Sequence, residues 1–444
     1  MTGNARTLVV LGASTDQLFL IETAQALGLR VLAVDRDADA PGFAVAEESA
    51  LISTRDVAGI CAHLDRLEKD EGAVFAGVTT MGSDIPEIVA AIAGHLGTPS
   101  IPLEAARLTV DKFAMKVRLR ECSIPIPWFR EVPGVEDLLE VIADRGLPLV
   151  IKPIDRSGSR GVFFLRPGCD PTDLFQKAKA FSFSGRVQVE EYLPGPQIST
   201  ETILYGGRAV TPGFADRNYD TFERFLPQIM ENGGWVPSLL SAEERKQVEE
   251  LVVSASLALG ISEGVTKGDV VMTPEGPRII EIAARLSGGD FCAGLVPLGS
   301  GVNYVRTAIQ IAIGETPDLD ALAPRFERAV ANRYFFPEPG RLVRIEGVEA
   351  IRARPWLHKL EFWYRPGEIV PESLSHAHRF GVFVVSAPDR ATAQARVDEV
   401  YDTIRIVTRP EKAASRTRPE SSFPPDRPSA VATRPGAIAS GTRG

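Results

Sequence analysis

The chain has 444 residues, 44% hydrophobic and 24% charged, with a net charge of -9. The acidic balance excludes nucleic acid as the main partner, because phosphate binding needs a basic surface. Cys61, Cys122, Cys169 and Cys292 form no C-x-x-C pair, which excludes a zinc or disulfide framework. No signal-peptide pattern and no long apolar run is present, so no membrane partner and a cytoplasmic location are expected. The length predicts two or three domains.

Residues 7–11 (T-L-V-V-L) read as a buried strand, 12–14 as a tight turn, 17–27 as a helix stopped by Gly28, and 30–34 as a second strand ending in Asp35. That order is a βαβ unit, which implies parallel strands covered by helices. Asp35 stands where dinucleotide folds place a ribose-binding acid. Gly12 is the only glycine of its turn, so G-x-G-x-x-G is absent and a Rossmann-like domain without dinucleotide is expected. A strand over 74–80 and a helix opened by Met81-Gly82-Ser83-Asp84 and running to Leu96 complete a first domain, residues 1–102. Residues 103–122 read as one helical stretch. In it Lys112 and Lys116, spaced i,i+4, share a face, either as a solvated stripe or as mobile cations for phosphate.

Residues 147–153 (L-P-L-V-I-K-P) predict a strand with Lys152 inside it, where an uncompensated charge is costly and an anionic partner is expected. The loop Asp155-Arg156-Ser157-Gly158-Ser159-Arg160-Gly161-Val162 leads into a strand at 163–165. This is not the P-loop, which opens a helix, but a small flexible loop can lay backbone N–H groups over phosphates. Residues 187–193 predict a strand ending in Glu190 and Glu191, broken by Pro194-Gly195-Pro196, a backbone hinge suited to an adenine. Residues 214–238 have poor periodicity and read as a long functional loop holding Arg217, Asn232 and Trp235, tentative substrate residues by placement alone. An amphipathic helix with a Ser241 cap spans 241–259.

Residues 269–289 form the pivot. Val270 to Met272 and Arg278 to Ile282 predict two strands joined by the turn Thr273-Pro274-Glu275-Gly276. Asp269 and Glu281 then face one volume, and two such acids form a Mg²⁺ site once phosphate oxygens and water complete the octahedron. Arg285 and Gly288-Gly289 follow, adding a fixed cation and free backbone N–H groups. Beyond it, a helix over 301–313, a strand over 329–336 and a small α+β domain ending near 408 are expected, with a helix at 391–404. His376 and His378 read as solvated. Residues 409–444 are rich in Pro, Ser and Arg and read as a disordered tail.

Taken in order, T-V-D-K-F-A-M-K, V-I-K-P with D-R-S-G-S-R-G-V, V-E-E-Y-L-P-G, K-G-D-V-V and I-I-E-I-A-A-R-L-S-G-G resemble the ATP-grasp superfamily to about residue 407. They are most similar to carboxylate–amine ligases of the L-amino-acid (dipeptide) ligase type. The resemblance implies an α/β and α+β multidomain protein. Its parts are a Rossmann-like pre-ATP-grasp domain at 1–102, a two-part ATP-grasp core at 103–330 with a lid subdomain at about 122–192, and a biotin-carboxylase-like C-terminal α+β domain at 331–408. It also implies roles. Lys112 and Lys152 contact ATP phosphates. Ser157, Gly158 and Gly161 belong to the glycine-rich lid. Glu190, Glu191, Tyr192 and Leu193 form the adenine hinge. Asp269 and Glu281 hold Mg²⁺, with Mn²⁺ as an alternative. Arg285, Gly288 and Gly289 serve the acyl intermediate. The implied partners are a small carboxylate, a small amine and a second copy of the chain in a homodimer. Two positions depart from the pattern: Gln197 stands where relatives have a ribose-binding acid, and Ala283 where they have an Asn ligand. An ATP-dependent carboxylase using bicarbonate and a non-catalytic nucleotide-binding module are the alternative readings.

Overall fold

The computed structural model describes residues 6–411, so most of the tail expected to be disordered lies outside the described residues. The first sheet is parallel, in the order Glu48–Leu51, Arg30–Asp35, Arg6–Leu11, Val74–Thr79. Its two central strands are buried almost throughout. Such continuous apolar runs arise because helices cover both faces of a parallel sheet. Val57–Glu71 and Pro86–Leu96 pack on one face, burying Ile60, Leu64, Ile88 and Ile92. Leu18–Ala26 packs on the other, where Leu20 and Ile21 meet Tyr304, Val305 and Ile309 of the helix Tyr304–Ala312. This shared core anchors the first sheet to the rest of the molecule.

The central sheet has eight antiparallel strands. Their order is Gly276–Ala283, Gly264–Thr273, Gln197–Tyr205, Arg208–Arg217, Gly234–Val236, Ala329–Phe335, Gly381–Ala387, Leu357–Phe362. The helix Ala242–Ala258 packs under its first strands through Val248, Val252 and Ala255. A four-stranded sheet, Phe129–Glu131, Val187–Glu191, Leu149–Pro153, Phe163–Leu165, stands beside it with its own core around Leu138, Ile151, Phe175 and Val189.

Three expectations are corrected. The stretch 103–122 is two helices, Leu103–Val110 and Lys112–Glu121. Asp111 between them is extended and accepts from the Phe113 and Ala114 N–H groups, so an N-cap wins over helix propensity. The helix after residue 80 starts at Pro86, and Met81 instead bridges Leu286. The long loop at 214–238 is largely ordered: Phe214 to Arg217 end one strand and Gly234–Val236 is another. Three residues are too few to show a period of two, and pairing with Ala329–Phe335 supplies what local pattern lacks. The C-terminal part spans two sheets. Ala329–Phe335, Gly381–Ala387 and Leu357–Phe362 extend the central sheet, and a three-stranded sheet including Arg405–Arg409 completes it.

Candidate active site

The site lies where the central sheet, the four-stranded sheet and the first domain meet. Its metal end is the hairpin. Asp269 pairs in register with Glu281 on one side and Ser199 on the other. Both carboxylates therefore project from the same face. Each already holds an ammonium group: Lys112 Nζ is 2.6 Å from Glu281 Oε1, and Lys267 Nζ is 2.5 Å from Asp269 Oδ1. Ser199 Oγ donates to the same Asp269 oxygen at 2.6 Å, and Arg217 Nε lies 3.7 Å from it. Burial would push the Asp269 carboxyl up, but Arg217 and Lys267 overcome it and hold the group well below its usual range. Among the described residues no three or more His, Cys, Asp or Glu side chains form a closed metal site. Two opposed carboxylates fit a hard divalent cation that draws its remaining oxygens from a bound phosphate and water.

The phosphate end is built on Glu190. Its carboxylate is 2% exposed and faces Lys152 Nζ at 2.6 Å and Lys116 Nζ at 3.2 Å. Neither lysine of the 112–121 helix is solvated, so the two do not form a solvated stripe. Desolvation outweighs Glu190 at Lys116 and brings its ammonium down to about 8. Strand alternation sends Glu190 inward and Glu191 outward, where it accepts from the Trp128 N–H at 3.2 Å. The Glu190 side chain thus pairs with the two lysines. Tyr192 packs edge-on against Phe164 and Leu193 is buried. Gln197 Oε1 accepts from Tyr219 OH at 2.8 Å.

The glycine-rich loop is held at both ends. Asp155 accepts from Ser182, Phe183 and Ser184 at its base. Gly158, Ser159 and Gly161 all have positive φ. Gly158 O accepts from the His376 N–H at 3.3 Å. His376 is therefore not the solvated residue expected. Its Nε2 is buried with no hydrogen-bond partner, and burial, reinforced by Arg379 and Arg217, pushes the imidazole well below its ordinary value.

Arg285 pairs with Asp84 of the first domain, and Ser157 lies beside the same carboxylate. Burial opposes the Asp84 charge, but the Arg285 guanidinium holds its carboxyl far below the usual range. Gly82 and Gly288 cross closely here. A Cβ on Gly288 would sit 3.0 Å from Gly82 Cα, so this approach requires glycine. Gly289 has φ +64 and lies against Tyr334 OH.

Of the tentative substrate residues, only Arg217 reaches this volume. Trp235 is 5% exposed on the opposite face, packed with Ala331 and Phe335 and between Arg333 and Arg390. Asn232 bonds the Tyr334 N–H, Asp220 and Tyr401 and so ties the sheet together. Sequence reasoning missed Asp84, Ser199, Glu201, Lys267 and His376. Lys267 was legible, because K-G-D on a strand puts Lys267 and Asp269 on one face. Asp84 and His376 carry no local signal.

Lys112, Lys116, Lys152, Lys267, Arg217 and Arg285 meet the acids Glu190, Glu281, Asp269 and Asp84. Six cationic side chains converging on one volume suit a polyanion that can take over their pairing. Residues 109–289 match the ATP-grasp domain family, and residues 333–409 match the family described as L-amino acid ligase C-terminal domain 2. The chain thus carries an ATP-grasp domain followed by an L-amino acid ligase C-terminal domain. As an ATP-grasp ligase it is an ADP-forming enzyme of C–N bond formation.

The Sinorhizobium fredii protein y4rH is 26% identical over 403 residues, covering 89% of this chain and 82% of that protein. A D-alanine–D-alanine ligase of Cupriavidus pinatubonensis is 28% identical over 227 residues, 48% of this chain and 66% of its own length. The fold is shared with the L-amino acid ligase from Bacillus licheniformis, at a TM-score of 0.76 and 20% identity, over 92% of this chain and 100% of that one. No helix among the described residues is long and apolar enough to cross a membrane.

Proposed function

We propose that this ATP-grasp ligase joins a small carboxylic acid to a small amine, both of the amino-acid class, through an acyl phosphate. The observation that carries the reading is the facing Asp269–Glu281 pair, each acid already neutralised by a lysine, beside the Glu190-held lysines and Arg285. Asp269 and Glu281 would hold a Mg²⁺ ion, which would supply charge neutralisation at the phosphates.

The chain's own groups do the rest. The main chain at Tyr192 and Leu193 holds the adenine, and Gln197 with Tyr219 serves the ribose. Lys112, Lys116 and Lys152 balance the phosphates while the N–H groups of the 157–161 loop cover them. A carboxylate oxygen of the acid attacks the γ-phosphorus, the bond to the bridging oxygen breaks, and ADP leaves. The amine nitrogen then attacks the acyl carbon, the carbon–oxygen bond to phosphate breaks, and the amine proton passes to solvent. Both steps bring like charges or dipoles together, so positioning and charge neutralisation dominate. Arg285 and the N–H groups of Gly288 and Gly289 stabilise the oxyanion of the second step.

The test is a screen of amino-acid pairs for release of ADP and phosphate, with mass spectrometry of products. Amide products dependent on both substrates are expected. ADP release dependent on bicarbonate, or nucleotide binding without turnover for any pair, overturns the reading.

A further inference from the structure

We propose that Glu201 is the second seat of the Lys267 ammonium group, and that Lys267 crosses to it when a divalent cation takes Asp269. The inference rests on the metal–nucleotide reading of Asp269 given above. The strands Gln197–Tyr205 and Gly264–Thr273 pair with Ser199 opposite Asp269 and Glu201 opposite Lys267. The two-residue period puts all four on one face. Lys267 Nζ sits 2.5 Å from Asp269 Oδ1. A metal on that carboxylate displaces the ammonium, because two cations cannot share one short contact. Directly opposed residues have Cβ atoms about 4.5–5.5 Å apart, so the lysine stem reaches either acid.

Glu201 has the vacancy. It is wholly buried, and among the described residues no ammonium or guanidinium group forms an ion pair with it. A buried carboxylate without a counter-charge is costly, and the cost is relieved when a cation arrives. The groups facing Glu201 do not fill this role. Ser287 Oγ and Tyr304 OH lie beside it, but as neutral groups they bring no counter-charge. Burial pushes the Cys292 thiol and the Tyr304 phenol well above their ordinary values, so both stay neutral. Arg285 is committed to Asp84.

Burial raises the Glu201 carboxyl to about 7. In the metal-free protein it is therefore partly protonated near neutrality. When Lys267 arrives, the carboxylate is favoured, the O–H bond breaks heterolytically, and the proton passes to solvent. Metal loading then releases up to one proton, and metal affinity rises with pH through this range. Lys116, brought down to about 8, works in the opposite sense by taking up a proton when phosphates arrive. Comparison with a variant removes that contribution.

The experiment is calorimetric titration of folded full-length protein with MgADP in buffers of different ionisation enthalpy, at pH about one unit below, at, and above that of the Glu201 transition. Wild type is compared with Glu201→Gln and Lys267→Gln, with Mn²⁺ affinity read by electron paramagnetic resonance. Wild type is expected to release more protons than either variant, and Glu201→Gln to bind Mn²⁺ several-fold more weakly with a flatter pH profile. Lys267→Gln keeps Glu201 intact, so its lost proton release cannot come from removing the acid. Equal proton counts in wild type and both variants overturn the inference alone. Failure of folded wild type to bind MgADP overturns the ligase reading beneath it as well.

Discussion

Glu190 is held between two buried ammonium groups, and that arrangement sets what its loss costs. Glu190→Gln leaves Lys116 and Lys152 facing each other without a counter-charge, which destabilises by about 3–5 kcal/mol. A bound triphosphate replaces the missing charge, so thermal melts are expected to show a large loss without MgATP and a partial recovery with it. Glu201 gives a pH signature. Burial raises its carboxyl from the ordinary 4.5 to about 7, so the folded protein binds this proton more tightly than the unfolded chain. Its contribution is fully present below about 4.5 and is lost as pH rises through about 7. The shift corresponds to on the order of 3 kcal/mol. Denaturant melts at about pH 5 and about pH 8 are expected to differ by less in Glu201→Gln than in wild type.

At the scale of elements, the glycine-rich loop is a hairpin tip that covers the phosphates because its backbone takes conformations other residues resist. Gly161 has φ +73, and a Cβ there would meet Phe181 Cβ at 2.9 Å. Gly161→Ala is expected to lift the loop away from the site, at a cost of about 1–3 kcal/mol in stability. The Michaelis constant for ATP should rise several-fold while the four-stranded sheet stays folded by circular dichroism. The loop also reaches beyond its own sheet: Ser157 lies beside Asp84, and Gly158 accepts from the His376 N–H. Two elements distant in sequence thus border one short segment.

For the whole molecule, the site is complete only because the first domain closes it. The Asp84–Arg285 pair and the Gly82–Gly288 crossing join the parallel sheet to the end of the hairpin. Arg285→Ala removes a donor to the oxyanion and is expected to lower kcat about 10²–10³-fold while ATP still binds. Asp84→Asn leaves the guanidinium in place but less firmly held. A smaller loss, about tenfold, is expected in the same steady-state assay. Wild-type turnover in Arg285→Ala would remove it from the chemistry.

The sequence by itself determined those parts whose signal is local. The βαβ opening, the Asp269–Glu281 hairpin, the Lys152 strand and the glycine-rich loop each follow from a period, a turn or a buried charge within about twenty residues. The ordered motifs carried the resemblance to ATP-grasp ligases. Only the tertiary structure decided which acid answers which cation. Glu190 looked like part of a hinge, yet it holds two lysines that lie 74 and 38 residues before it in the chain. Trp235 looked like a pocket residue, but a three-residue strand turned it to the opposite face. Asp84, Glu201 and His376 face partners on other strands and domains. A side chain's charge is visible in sequence, but the counter-charge that sets its cost and its role is supplied by long-range packing.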